Sequence, residues 1–258
     1  MQTKREVSEL LSGTIPNAVE EKKKDVKKED VIKSKWHSLY KINVPSKRIS
    51  KKNGLFKEKP AYTNYRVFID DFMELETGLH AMWNALDEAG PKDRLELRIN
   101  SHGGFVNEGA QLYNVAKNKF NGRVTTVLDN CGYSMGALTF CIGDKRIVNE
   151  RADLMFHDYS GGNGGKGGEM AARQEHTAKF IRKYFYEVIV RPGFLSEKEF
   201  KNMIIGQDYW MDVIQLCERG IATHVLVGGK EIKAETYLKR LDKDGIYKEP
   251  KKKEKVKK

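Results

Sequence analysis

A serine framed by glycines, Gly132-Tyr133-Ser134-Met135-Gly136, constrains this chain more than any other segment. A serine on a sharp turn from strand to helix needs small neighbours, because backbone atoms crowd there and the turn is often strained. The flanking sequence fits that geometry. Upstream, Arg123-Val124-Thr125-Thr126-Val127-Leu128 is β-branched and apolar, the character of a buried strand. Downstream, Met135-Gly136-Ala137-Leu138-Thr139-Phe140-Cys141 is small and apolar, which suits a buried helix beginning at the serine. The same alternation extends along the chain: strands are expected at 65–69, 95–99, 123–128, 146–148 and 153–157, with helices over 74–89, 106–118 and 135–142. Strands and helices at this spacing belong to βαβ units and an α/β fold.

A serine hydroxyl near neutral pH needs a base to take its proton and a third group to orient that base. The chain holds six histidines: His37, His80, His102, His157, His176 and His224. His37 lies in a charged leader, while His80 and His176 fall in polar helical stretches. His157 instead ends the apolar run Ala152-Asp153-Leu154-Met155-Phe156 and precedes a glycine-rich loop, so it is expected at a strand end facing a cleft. Gln207-Asp208-Tyr209-Trp210-Met211 offers Asp208 as the carboxylate, between a helical segment and a helix ending at Gly220, with Asp212 the near rival. An oxyanion site needs backbone N–H groups free of side-chain obstruction. The segment Ile99-Asn100-Ser101-His102-Gly103-Gly104, after a strand and before a helix, can turn tightly and aim an N–H outward. Cys131 is a rival nucleophile, but it stands before the turn and not on it.

In order, Ile-Asn-Ser-His-Gly-Gly, Gly-Tyr-Ser-Met-Gly, Met-Phe-His-Asp and Gln-Asp-Tyr-Trp-Met, backed by Glu218-Arg219-Gly220-Ile221-Ala222, resemble the proteolytic subunit family of the Clp protease over about residues 65–228. The resemblance implies a spiral of ββα units with a protruding handle helix, here Glu169 to about Val190, a fold shared with crotonase-like enzymes that need no serine nucleophile. Residue by residue it implies Ser134 as nucleophile, His157 as general base and acid, Asp208 as orienting carboxylate, and the N–H groups of Gly104 and Met135 as oxyanion donors. It also implies a ring of copies enclosing a chamber, polypeptide substrates, and a separate ATP-dependent unfoldase as partner. Two departures stand out. His102 replaces the family's proline, removing a fixed φ, and Ser160 to Gly168 is richer in glycine than the family's loop, so it is expected to be mobile and to take part in an active-to-inactive switch. A stand-alone processing protease, for instance of viral shell or scaffold proteins, and a non-catalytic subunit of a mixed ring are the other readings.

The net positive charge is confined to the ends. Of the net +11, residues 1–60 carry 16 basic and 8 acidic side chains and residues 239–258 carry 10 and 4, leaving the centre at −3. The expected organisation is a basic, largely disordered leader over 1–60, a peptidase domain over 61–238 and a lysine-rich tail over 239–258, with Trp36 to Tyr65 partly ordered against the body. The basic runs Lys22–Asp30 and Lys251–Lys258 are solvated tails on the simplest reading, and binding of nucleic acid or an acidic partner is the alternative. No apolar run reaches the ~18 residues that span a bilayer and no apolar signal core opens the chain, so a cytoplasmic protein without membrane contact is expected. Cys131, Cys141 and Cys217 have spacings that suit neither a zinc site nor a disulfide framework, so reduced thiols, no metal and no cofactor are expected. No Gly-x-x-x-x-Gly-Lys-Ser/Thr loop occurs, so any ATPase is a separate protein.

Overall fold

A computed structural model describes residues 31–33, 37–45, 51–52, 55–56, 60–72 and 77–249; the lysine runs 22–30 and 251–258 lie outside them. The elements are β1 (Val31–Lys33), β2 (His37–Pro45), β3 (Lys51–Lys52), β4 (Leu55–Phe56), β5 (Pro60–Ile69), α1 (Thr77–Asp87), β6 (Arg94–Ser101), α2 (Val106–Phe120), β7 (Val124–Tyr133) and α3 (Met135–Cys141). They continue with β8 (Lys145–Asn149), β9 (Asp153–Phe156), α4 (Gly167–Phe185), α5 (Glu197–Ile204), β10 (Tyr209–Met211), α6 (Val213–Glu218), β11 (His224–Val227), β12 (Lys230–Lys233) and α7 (Ala234–Leu238).

The main sheet runs β1-β2-β5-β6-β7-β8-β11-β12, and its centre, β5 through β11, is parallel. This is the expected α/β spiral. Parallel strands need a crossover between them, which α1, α2 and α3 supply. Alternation within β6 shows why the sheet holds: Leu95, Leu97 and Ile99 are buried on the helix-covered side, while Arg94, Glu96 and Arg98 face outward. On that outer side Arg66 Nε donates to Glu96 at 2.8 Å and Arg98 Nε to Asp129 at 3.0 Å, so the charges are paired across strands. Against the first edge, β2 lies antiparallel to β5 from His37↔Ile69 onward.

Strand β7 is longer than the sequence suggests, reaching Tyr133 and not stopping at Leu128. Its first half pairs with β8, its second half with β9 through Cys131↔Asp153, Gly132↔Leu154 and Tyr133↔Met155. The polar pair Asp129-Asn130 hides this continuation in the sequence. Asp129 is there because it accepts from Arg98 and from Asn149 Nδ2, where the strand changes partner. One strand thus delivers its end to a second layer made of β9 and β10.

Helix α4 is the handle. It begins at Gly167, and after Phe185 its last turn widens into a π-turn over Tyr186–Val190. Residues 171–176 are exposed, and the apolar stripe divides: Ile181, Tyr184, Phe185 and Val188 are core, whereas Phe180 is 47% exposed. Beyond it, Ser196 and Glu199 form a capping box at the start of α5. Arg219, just after α6, donates to Glu199 Oε1 at 2.7 Å, so α5 and α6 are clasped on either side of β10. The Arg219 hydrogen bond is the main reason the Glu199 carboxyl falls from the ordinary 4.5 to about 2. A carboxylate depressed in this way adds stability at neutral pH, and that stability is lost as pH falls from about 4.5 toward about 2. Arg219→Ala is therefore expected to cost about 1–3 kcal/mol at pH 7, after discounting for partial exposure. In urea unfolding at a series of pH values, it should also flatten the acid limb over that window.

Candidate active site

Ser134 lies at the carboxyl end of the parallel strand β7, the edge at which open α/β sheets place ligands. Ser134 follows β7 directly and is the N-cap of α3, whose seven residues are all buried. Its φ of 54° and ψ of −120° make it the one non-glycine with positive φ among the described residues. Its N–H donates to the Met155 carbonyl at 3.0 Å, which ties the elbow to β9. Backbone of this kind costs about 1–3 kcal/mol and persists only where the surroundings over-determine it. Gly132 and Gly136 clear the way: a Cβ on Gly136 would come 2.8 Å from the Ser101 carbonyl oxygen.

The loop after β6 lies against this elbow. Gly103 has φ +113°, and a Cβ there would come 2.5 Å from Ser134 Cβ and 3.1 Å from its Oγ. Gly104 has φ +132°, and a Cβ would come 2.1 Å from the Phe72 oxygen. Both positions therefore require glycine on two counts, left-handed backbone and close approach. The Met135 side chain is 1% exposed and packs on Gly109 of α2. Neither the Gly104 nor the Met135 N–H has a hydrogen-bond partner among the described residues.

His157 is half-buried and stands one residue past β9, so the expected strand ends before it and not on it. The β7–β9 register ends at Tyr133↔Met155, one residue before Ser134 on one strand and two before His157 on the other. Asp208 precedes β10, a short strand that the sequence reading takes for part of a helix-to-helix link. Tyr209↔Phe156 is the last antiparallel pair. Asp208 and His157 are the next residues beyond that pair on the two chain segments. Asp208 is exposed. No hydrogen bond joins Ser134, His157 and Asp208 to one another, and catalytic hydrogen bonds of this kind commonly tighten only when substrate binds.

The rivals are otherwise engaged. Asp212 caps α6, accepting the Gln215 N–H at 2.9 Å in a capping box. Cys131 is buried, and burial, followed by the charges of Asp153 and Asp71, pushes its thiol up, away from the thiolate a nucleophile needs. His102 is exposed, with Nδ1 3.6 Å from Asp71 and Nε2 3.9 Å from Cys131 Sγ. Two residues escape sequence reasoning. Tyr133 sets its ring edge-on to His102 at 5.7 Å and to Trp210 at 5.1 Å, joining the loop after β6, the elbow and β10. Asp158, beside His157, buries Oδ1 without a hydrogen-bond partner among the described residues. Only the β7–β9–β10 pairing, which no periodicity reveals, could have pointed to Tyr133.

The glycine tract is exposed over 160–168, and a Cβ at Gly161, Gly162, Gly164, Gly167 or Gly168 would meet nothing within 4 Å. A cavity of about 250 Å³ opens between it and α4, lined by Val106, Tyr159, Asn163, Arg173, Thr177 and Ile181. Among the described residues no group of three His, Cys, Asp or Glu side chains is placed to hold a metal ion. No helix among them is long and apolar enough to cross a membrane.

Residues 65–228 match the family model described as Clp protease. The chain is similar to the ATP-dependent Clp protease proteolytic subunit of Mesostigma viride, 29% identical over 151 residues, or 56% of this chain and 65% of that protein, just under two thirds of its length. It is 29% identical to proteolytic subunit 3 of Rhodococcus jostii over 60% of this chain and 77% of the relative. To proteolytic subunit 1 of Frankia casuarinae it is 26% identical over 67% and 81%.

If the Ser134 backbone is strained for function, Ser134→Gly should be more stable than Ser134→Ala by about 1 kcal/mol, because only glycine occupies positive φ without cost. Urea denaturation of the two variants measures this, and a glycine variant less stable than the alanine variant would contradict it.

Proposed function

Because the chain belongs to the Clp protease family, we propose that it is a serine endopeptidase in which Ser134, His157 and Asp208 act as a triad. One observation carries the reading: the sole left-handed non-glycine residue among those described is a serine at a strand-to-helix elbow, with the Gly104 and Met135 N–H groups unpartnered among the described residues and β9, paired with β7, ending one residue before His157. Ser134 Oγ attacks the peptide carbonyl carbon while His157 takes the hydroxyl proton, and the carbonyl oxygen becomes an oxyanion held by the Gly104 and Met135 N–H groups. Collapse breaks the C–N bond as His157 returns the proton to the leaving amine. Water, deprotonated by His157, then hydrolyses the acyl-enzyme and frees Ser134. Asp208 keeps the imidazole in the tautomer and orientation that both steps need. The 250 Å³ cavity two residues beyond Gly104 and His157 is the recess for a substrate side chain.

Ring assembly and a separate ATP-dependent unfoldase belong to the same proposal, supported by the names of the relatives and by the projecting α4. The absence of hydrogen bonds among Ser134, His157 and Asp208, and the open space around Gly161, Gly162, Gly164, Gly167 and Gly168, support a site that aligns on assembly or substrate entry. The same lack of hydrogen bonds favours one other reading, a non-catalytic subunit of a mixed ring.

A fluorophosphonate probe decides between them. The assembled protein should label at Ser134, and His157→Ala should abolish labelling. Asp208→Asn should slow it on the order of 10³- to 10⁴-fold. Asp212→Ala should keep the labelling rate while losing about 1 kcal/mol of stability with its cap. An intact oligomer that never labels is the non-catalytic subunit.

A further inference from the structure

We propose that Asp71 is a positioning residue for the oxyanion hole, acting through the backbone N–H of His102; the inference rests on the serine-peptidase reading above. After β5 the chain continues through Asp70, Asp71 and Phe72 along the back of the loop that carries Gly103 and Gly104. Phe72 N–H donates to the Gly103 carbonyl at 2.7 Å, and the Phe105 N–H donates to the Phe72 carbonyl at 2.7 Å. All peptide bonds described are trans, so the N–H of each lies opposite its C=O. Holding the Gly103 oxygen toward Phe72 therefore turns the Gly104 N–H away from Phe72. Gly103 itself rests against Ser134.

Main-chain bonds of this sort are available to any residue at position 71. The Asp71 side chain adds what the main chain cannot. Its Oδ1 accepts the His102 N–H at 2.6 Å and the Ser101 hydroxyl at 3.4 Å, and Ser101 Oγ accepts the Gly103 N–H at 3.1 Å. The amides of His102 and Gly103 are thus both turned inward, toward one carboxylate and its hydroxyl relay. Gly104 carries the first amide in the loop that has no partner among the described residues. Ser101 is fully buried and Asp71 is 28% exposed, so these bonds are partly shielded from competing water.

The arrangement also accounts for His102. Proline at this place would fix φ but would offer no N–H. A residue with an N–H loses the fixed φ and gains a donor, and Asp71 holds that donor. Rigidity set by a ring in the resembling family is set here by a charge-assisted hydrogen bond.

The test uses the assembled full chain and a β-lactone probe, reading the maximal acylation rate and the half-saturating concentration separately. Asp71→Ala should lower the maximal rate on the order of 10- to 100-fold with half-saturation changed less than about twofold, because the oxyanion donor is displaced and not the binding surface. Asp71→Asn keeps an acceptor oxygen and an isosteric shape, and should stay within about threefold of the unsubstituted chain. In a His102→Pro background the N–H is gone, so Asp71→Ala should cost less than about threefold. Labelled unsubstituted chain with an unaffected Asp71→Ala variant overturns the inference alone. So does an equal loss in both backgrounds, which makes Asp71 a general structural residue. Failure of the unsubstituted assembly to acylate overturns the peptidase reading and with it any part for Asp71 in catalysis.

Discussion

The left-handed backbone of Ser134 can persist only because the strand before it and the helix after it are both fixed by packing. A buried α3 holds one side, the Met155 carbonyl takes the Ser134 N–H on the other, and glycines at 132 and 136 remove the side chains that would obstruct the turn. Strain of this order is unaffordable in a loosely packed loop. Around it the strands, crossovers and second layer make one continuous support for the half-buried Ser134.

That support also delivers the partners. Parallel strands end along one edge, so Phe72, Gly104 and Ser134 arrive there as consecutive neighbours. The change of partner along β7 then brings β9, and with it His157, to the same place. Asp208 directly precedes β10, whose ladder with β9 is flanked by the Glu199–Arg219 clasp between α5 and α6. These segments, far apart in sequence, meet only through tertiary pairing at each step.

Local chemistry was legible in the sequence; pairing was not. The elbow could be read because its requirements, small residues between an apolar β-branched run and an apolar helix, are met within about twenty residues. The two glycines of the oxyanion loop were legible for the same reason, and each shows the close approach that demands it. What escaped was non-local. Asp129-Asn130 reads as a strand end until Arg98 and Asn149 are seen to occupy it. Asp212 reads as a near rival to Asp208 until Asp212 is found capping α6 and Asp208 preceding β10. Tyr133 is a filler between glycines until Trp210 and His102 arrive on either side.

The central claim concerns where one oxygen atom goes. A crystal structure of the assembled protein treated with a peptide boronate would place it directly. The account requires boron bonded to Ser134 Oγ, with one boronate oxygen about 2.7–3.1 Å from both the Gly104 and Met135 nitrogens and His157 hydrogen-bonded at the adduct. Boron on Cys131, or on Ser134 with its oxygens turned to solvent and both nitrogens empty, would contradict it.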